Sequence, residues 1–189
     1  MNIELKNVNF SYNENKILDN FNLTVHEGEC VCLVGRSGCG KTTVARLILG
    51  LEDAFEGTVS APEKISCVFQ EDRLLPHLNL YKNVLLALSD SQIPTADLLL
   101  QRFGLADYKK SKISELSGGM KRRVAIIRAI AFNGDALILD EPFNGLDQKN
   151  KELAAEIIKR EFSDKGKPIL LISHIEEDAQ LLNAKTIYM

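Results

Sequence analysis

Residues 34–43 read VGRSGCGKTT. Three glycines, Gly35, Gly38 and Gly40, give way at once to Lys41 and the hydroxyls of Thr42 and Thr43. The spacing GxxxxGK[ST], from Gly35 to Thr42, follows an apolar run and precedes a helical pattern, the setting in which it forms a phosphate-binding loop. Glycine freedom lets the backbone wrap closely, so that successive N–H groups converge on a β-phosphate at the positive end of a helix beginning at Lys41. Lys41 then supplies a fixed countercharge for the β- and γ-phosphates, Thr42 a hydroxyl for Mg²⁺, and Thr43 a candidate contact to the α-phosphate. Arg36, Ser37 and Cys39 fill out the loop. The competing reading is an ordinary glycine-rich turn capped by a lysine.

Two further stretches carry chemistry. ALILDEP, residues 136–142, ends an apolar run in paired carboxylates. Asp140 stands where such a loop's Mg²⁺ is held, and Glu141 beside it is placed to polarise an attacking water as a general base. Paired acids after a strand are also plain turn chemistry, and the phosphate loop is what tips the reading. LSGGM, residues 116–120, runs into a long helix. Ser117 is a good N-cap, and Gly118 and Gly119 expose amides at a helix start, so this is a second anion-binding platform, unless it is only a cap and a flexible turn.

The elements that position these residues alternate. Residues 3–10 and 21–25 mix apolar and polar positions as half-buried strands do, whereas CVCLVG (30–35), ISCVF (65–69), ALILD (136–140) and PILLIS (168–173) are almost wholly apolar. Runs of the second kind suit a parallel sheet covered on both faces. Helical patterns lie at 41–51, 117–132 and 148–162, the last with Leu153, Ala154, Ile157 and Ile158 on one face. From 72 to 116 there are no strand-like runs but Leu-rich pieces broken by Pro76 and Pro94, which predicts a small helical insertion.

Bulk properties bound the rest. The 189 residues, 45% hydrophobic and 26% charged, suffice for one sizeable core. A net charge of -3, with Lys and Arg dispersed, argues against a general nucleic-acid or lipid-binding surface. Cys30, Cys32, Cys39 and Cys67 form no CxxC pair and read as small hydrophobes in a reducing compartment. No run approaches the roughly 18 apolar residues of a membrane helix, and the N-terminus lacks a signal-peptide pattern, so a soluble intracellular protein is expected.

Taken together, the chain resembles the ATP-binding subunit of an ABC transporter along nearly its whole length. Tyr12 after the first strand, the loop at 35–42, Gln70 after a strand, LSGGM, ALILDEP, NGLD (144–147) and ISH ending at His174 fall in the family's order. The resemblance implies an α/β P-loop NTPase (RecA-like) core with a mostly parallel sheet, an N-terminal antiparallel β part and a small α-helical subdomain. It implies one domain over 1–189, with core at 1–71 and 116–189 and helical subdomain at 72–115, and with the family's C-terminal part missing. It gives ATP and Mg²⁺ as cofactors, Tyr12 as an adenine-stacking aromatic, and Gln70 as a ligand near Mg²⁺ that couples to the membrane partner. Asp147 becomes an interface residue and His174 a γ-phosphate contact. Two copies are expected to join head to tail, Ser117, Gly118 and Gly119 of one closing over the nucleotide of the other. An integral membrane permease and an external solute-binding protein complete the expected assembly, at the cytoplasmic face of a membrane and without nucleic acid.

Residues 70–84 (QEDRLLPHLNLYKNV) and Met120 resemble the importer branch serving nitrate, sulfonates, taurine or thiamine precursors, although His77 stands where that branch often has tryptophan. Two alternatives stay open: a P-loop phosphotransferase, against which LSGGM and His174 speak, and a soluble ABC-type ATPase of DNA repair or ribosomes, whose usual long insertions or tandem halves do not fit 189 residues.

Overall fold

The computed structural model describes residues 1–54 and 56–189. Strands β1 (Ile3–Tyr12) and β2 (Asn15–Val25) form an antiparallel hairpin running from Ile3 opposite Val25 to Tyr12 opposite Asn15. Asn13, at φ 53°, takes the left-handed conformation that such a tight turn demands. β4 (Glu56–Ser60) pairs antiparallel on the other side of β1, giving the order β2-β1-β4. The hairpin reaches well beyond the expected 21–25 segment, because residues 15–20 are mostly polar and exposed and set their two apolar residues, Ile17 and Leu18, side by side, so they carry no alternating apolar signal.

A second, all-parallel sheet has the order β5-β6-β7-β3-β8. Its strands are β3 (Cys30–Val34), β5 (Ile65–Val68), β6 (Ala136–Asp140), β7 (Ile169–Ser173) and β8 (Lys185–Tyr188). β3, β6 and β7 are buried at every position, and alternate residues enter different cores. Val31, Leu33, Ile138, Leu170 and Ile172 face a core shared with the antiparallel sheet and helix α1 (Lys41–Ile48). Cys32, Leu137, Leu139, Ile169 and Leu171 face a core shared with α4 (Gly118–Phe132) and α5 (Gln148–Glu161). Two apolar faces per strand explain the unbroken hydrophobic runs in the sequence. All four cysteines are free thiols, and burial pushes those of Cys30, Cys32 and Cys67 up to about 12.

α1 stops at Ile48 rather than 51, since Gly50 turns left-handed (φ 64°) and Leu51 N–H closes back on Arg46 O at 2.9 Å. Residues 72–116 fold as α2 (Leu80–Leu85), α3 (Ile93–Arg102) and three short 3₁₀ turns, at Asp90–Gln92, Ala106–Tyr108 and Ile113–Glu115. Their buried Leu80, Val84, Leu99, Leu100 and Phe103 share the α4 core. α6 (Glu176–Leu181) precedes β8. No helix among the described residues is long and apolar enough to cross a membrane.

Candidate functional site

Four neighbouring parallel strands, β5, β6, β7 and β3, deliver their carboxyl ends to one cleft of about 810 Å³. This is the end of an open α/β sheet at which ligands bind. The 35–43 loop leaves β3, Gln70 follows β5, Asp140 ends β6 with Glu141 after it, and His174 follows β7. All of these line the cleft together with Tyr12 from the hairpin.

The loop is shaped for a backbone-lined anion. Gly40, the N-cap of α1, sits at φ 109°, and a Cβ there would stand 3.0 Å from Ile17 Cγ2. At Gly35 a Cβ would meet Met189 O at 2.7 Å and Cys39 Sγ at 2.9 Å. Among the described residues no side chain caps α1, and no acid stands in its first turn, so its leading amides and dipole are left for a ligand. Lys41 is buried, and its Nζ donates to Gly35 O (2.8 Å), Arg36 O (2.9 Å) and Cys39 Sγ (3.7 Å). The loop's own acceptors thus hold the ammonium at the cleft floor.

On the opposite wall Thr42 Oγ1 donates to Asp140 Oδ2 at 3.0 Å. Burial raises the Asp140 carboxyl above its ordinary range, opposed by the Thr42 hydroxyl and reinforced by the neighbouring Glu141 charge. A hydroxyl and a buried carboxylate facing each other are the hard oxygen donors that suit Mg²⁺. Glu141, also buried, has the uncommon φ of 50°, and its carboxyl meets His174 and Asn144 whereas that of the preceding Asp140 meets Thr42. His174 Nδ1 lies 2.8 Å from Glu141 Oε1, a hydrogen bond that joins the imidazole to the carboxyl group. Asn144 Nδ2 donates to Glu141 Oε2 at 3.4 Å.

Ser117, Gly118 and Gly119 are not part of this cleft. Ser117 Oγ accepts from Met120 N–H at 3.2 Å, capping α4 as its sequence predicts, and this leaves the hydroxyl proton to donate elsewhere. Asp147 caps α5, accepting from Asn150 N–H at 2.8 Å, and that bond holds its carboxyl below the usual range.

Some residues that order the site escaped sequence reasoning. Asn83, wholly buried, accepts from Leu75 N–H (2.7 Å) and donates to three carbonyls of the turn after the Gln70 loop. Asp178, buried on α6, accepts from Ser173 Oγ at 2.8 Å beside His174 and faces Lys151 Nζ at 3.4 Å. A polar residue at an apolar-phase position of a short helix was the one signal available for either.

The family model described as "ABC transporter" matches residues 18–144. The chain belongs to the ABC transporter family. It is 37% identical to the aliphatic sulfonates import ATP-binding protein of Streptomyces avermitilis, with 95% of this chain and 69% of that protein covered. It is 33% identical to the spermidine/putrescine import ATP-binding protein of Mannheimia succiniciproducens, over 99% of this chain, and spans 55% of that relative's length. Among solved structures, a dimeric bacterial ABC transporter cassette shares 30% identity at a TM-score of 0.87, covering 99% of this chain and 94% of the other. The same cassette matches equally in a dimeric post-hydrolysis state bound to ADP and Pi. The fold expected of an ABC ATPase, parallel core, antiparallel part and helices, is the fold observed.

Proposed function

We propose that the chain is the ATP-hydrolysing subunit of an importer, in which two copies clasp ATP between them and drive a separate membrane permease. The observation that carries this reading is Gly118. Gly35 and Gly40 are glycines for reasons inside the chain, because a Cβ at either would crowd its surroundings. Gly118 opens α4 without a positive φ, is exposed, and would place a Cβ in open space. Glycine costs a helix up to about 1 kcal/mol relative to alanine, and among the described residues no atom stands close enough to Gly118 to forbid a side chain there. The requirement for a bare backbone therefore lies outside the chain, in an anion brought by a second copy. The dimeric cassette solved for a relative supports this arrangement.

In this reading the amides of residues 35–43 and Lys41 grip the β- and γ-phosphates, and Tyr12 packs on the base. Thr42 and Asp140, with Gln70, would hold Mg²⁺, which when bound neutralises charge on the phosphates. Glu141 takes a proton from water as the water oxygen bonds to the γ-phosphorus and the bond to the β,γ-bridging oxygen breaks, leaving ADP and phosphate. His174 holds Glu141 Oε1 and stands ready to meet the γ-phosphate. Lys41 and the loop amides stabilise charge on the transferring phosphoryl group. Residues 72–115, a helical subdomain set on the core, would pass the resulting motion to the permease together with Gln70. The import role rests on the named relatives, both import ATP-binding proteins.

Glu141→Gln tests the reading. The variant should bind ATP normally, hydrolyse it about 10²–10⁴-fold more slowly, and run as a dimer in Mg-ATP on light scattering. Wild-type turnover would remove Glu141 from the base role, and a monomer at saturating ATP would remove the clasp.

A further inference from the structure

The loop that carries Gln70 is tied to α4 carbonyl by carbonyl. Arg122, 7% exposed, donates from Nη1 to Phe69 O at 2.8 Å and from Nη2 to Gln70 O. Its Nε lies 3.2 Å from Asp72 Oδ1, an ion-pair contact. Further along the same helix, Arg128 donates from Nη2 to Asp72 O and from Nη1 to Arg73 O, each at 3.0 Å. Four of the five carbonyls from 69 to 73 thus accept from two guanidinium groups of one helix. Arg73, itself at φ 46°, folds its guanidinium over the Phe69 ring, 3.7 Å from the centroid.

A guanidinium is planar and permanently charged, so each fork fixes two acceptors in a set geometry as a flexible ammonium would not. The Gln70 side chain is left exposed to the cleft while its own carbonyl is held. Arg122 lies little more than one turn from the Ser117–Gly119 end of α4. A displacement of that end therefore reaches the 69–73 main chain through short, charge-assisted bonds rather than through solvent.

We infer that Arg122, seconded by Arg128, is the positioning residue for Gln70, joining the Gln70 loop and the Ser117–Gly119 platform into one rigid piece. Resting on the proposed function, this means that seating the platform on the partner's nucleotide resets Gln70 in the copy's own cleft. The two half-sites are mechanically connected inside each chain, whatever the permease does.

The test uses the full chain with Arg122→Met, which keeps length and apolar packing but removes the fork, and Arg122→Lys, which keeps the charge. In amide hydrogen exchange without nucleotide, residues 69–74 of Arg122→Met should exchange at least about 10-fold faster, the loss of a hydrogen bond to a charged group. Residues 35–43 should stay within about twofold. The kcat for ATP should fall about 10-fold with KM within about threefold, and Arg122→Lys should recover part of both effects. Unchanged exchange at 69–74 would overturn the inference, as would equal loosening of 35–43 or a loosened loop with unaltered kcat. The exchange readout needs no ATPase activity, so a fully active Glu141→Gln would sink the proposed function while leaving the Arg122 tether standing or falling on its own result.

Discussion

The two helix N-termini that carry the glycine-rich stretches, at α1 and at α4, are finished to different degrees. At α1 the left-handed glycine, the uncapped amides and a lysine tied down by three local acceptors form a cradle whose every constraint is internal. At α4 the cap is internal, but Ser117 and Gly118 are exposed and the space beyond them is open. A site whose glycines are demanded by its own packing is preorganised before any ligand arrives. One whose glycine meets no close neighbour is, in the proposed function, completed by the second copy, so the contrast would separate nucleotide binding from dimer closure.

The contrast is easiest to break at Gly118. Gly118→Asp puts an acid in the first turn of α4, which has none, and should raise the melting temperature of the nucleotide-free chain by a few degrees. The same charge, set against a triphosphate, should weaken ATP-driven dimerisation by about 100-fold or more. Sedimentation in Mg-ATP reads the second effect; an unchanged dimer would end the case for an external demand. Gly40→Ala sharpens the other side. Forcing a side chain to φ 109° beside Ile17 should cost about 1–3 kcal/mol, lowering the melting temperature by roughly 2–12 °C and ATP affinity with it. Calorimetry showing intact stability and affinity would mean that the cradle adapts.

The smallest effect belongs to Asp140. Its carboxyl titrates above the usual carboxylate range because it is buried, so the stability tied to its neutral form is present below that range and lost as pH rises through the elevated value. Asp140→Asn, which can still accept from Thr42, should therefore melt about 2 °C higher than wild type near neutral pH in the absence of Mg²⁺, and the gap should close on acidification. A gap that widens at low pH would reverse the sign of the burial argument.

Much of the fold was legible because β3, β6 and β7 are buried on both faces: CVCLV, ALILD and ILLIS announce themselves as apolar runs, and the chemistry sits at their carboxyl ends. The start of β2 was not legible, since residues 15–20 are mostly polar and exposed, with Ile17 and Leu18 adjacent rather than alternating, and main-chain pairing with β1 is what defines the strand there. In the site, the loop was read from its spacing, and the carboxylate pair only once the loop stood beside it. Arg122 did not, because a guanidinium that spends its donors on carbonyls of residues 69 and 70 looks, in a sequence, like one more charge on a solvated helix face. Asp178 and Asn83 hid for the same reason: their value lies in what they bond to across the fold.

The strand that feeds the phosphate loop has a further consequence for how the molecule is made. Among the described residues β3 pairs only with β7 and β8, whose residues begin at Ile169, although β3 itself ends at Val34. During synthesis, an apolar strand with both edges open must wait for more than a hundred further residues before either neighbour exists. The cradle is written first and assembled last, so nascent chains halted before β7 should be insoluble, chaperone-dependent and blind to nucleotide.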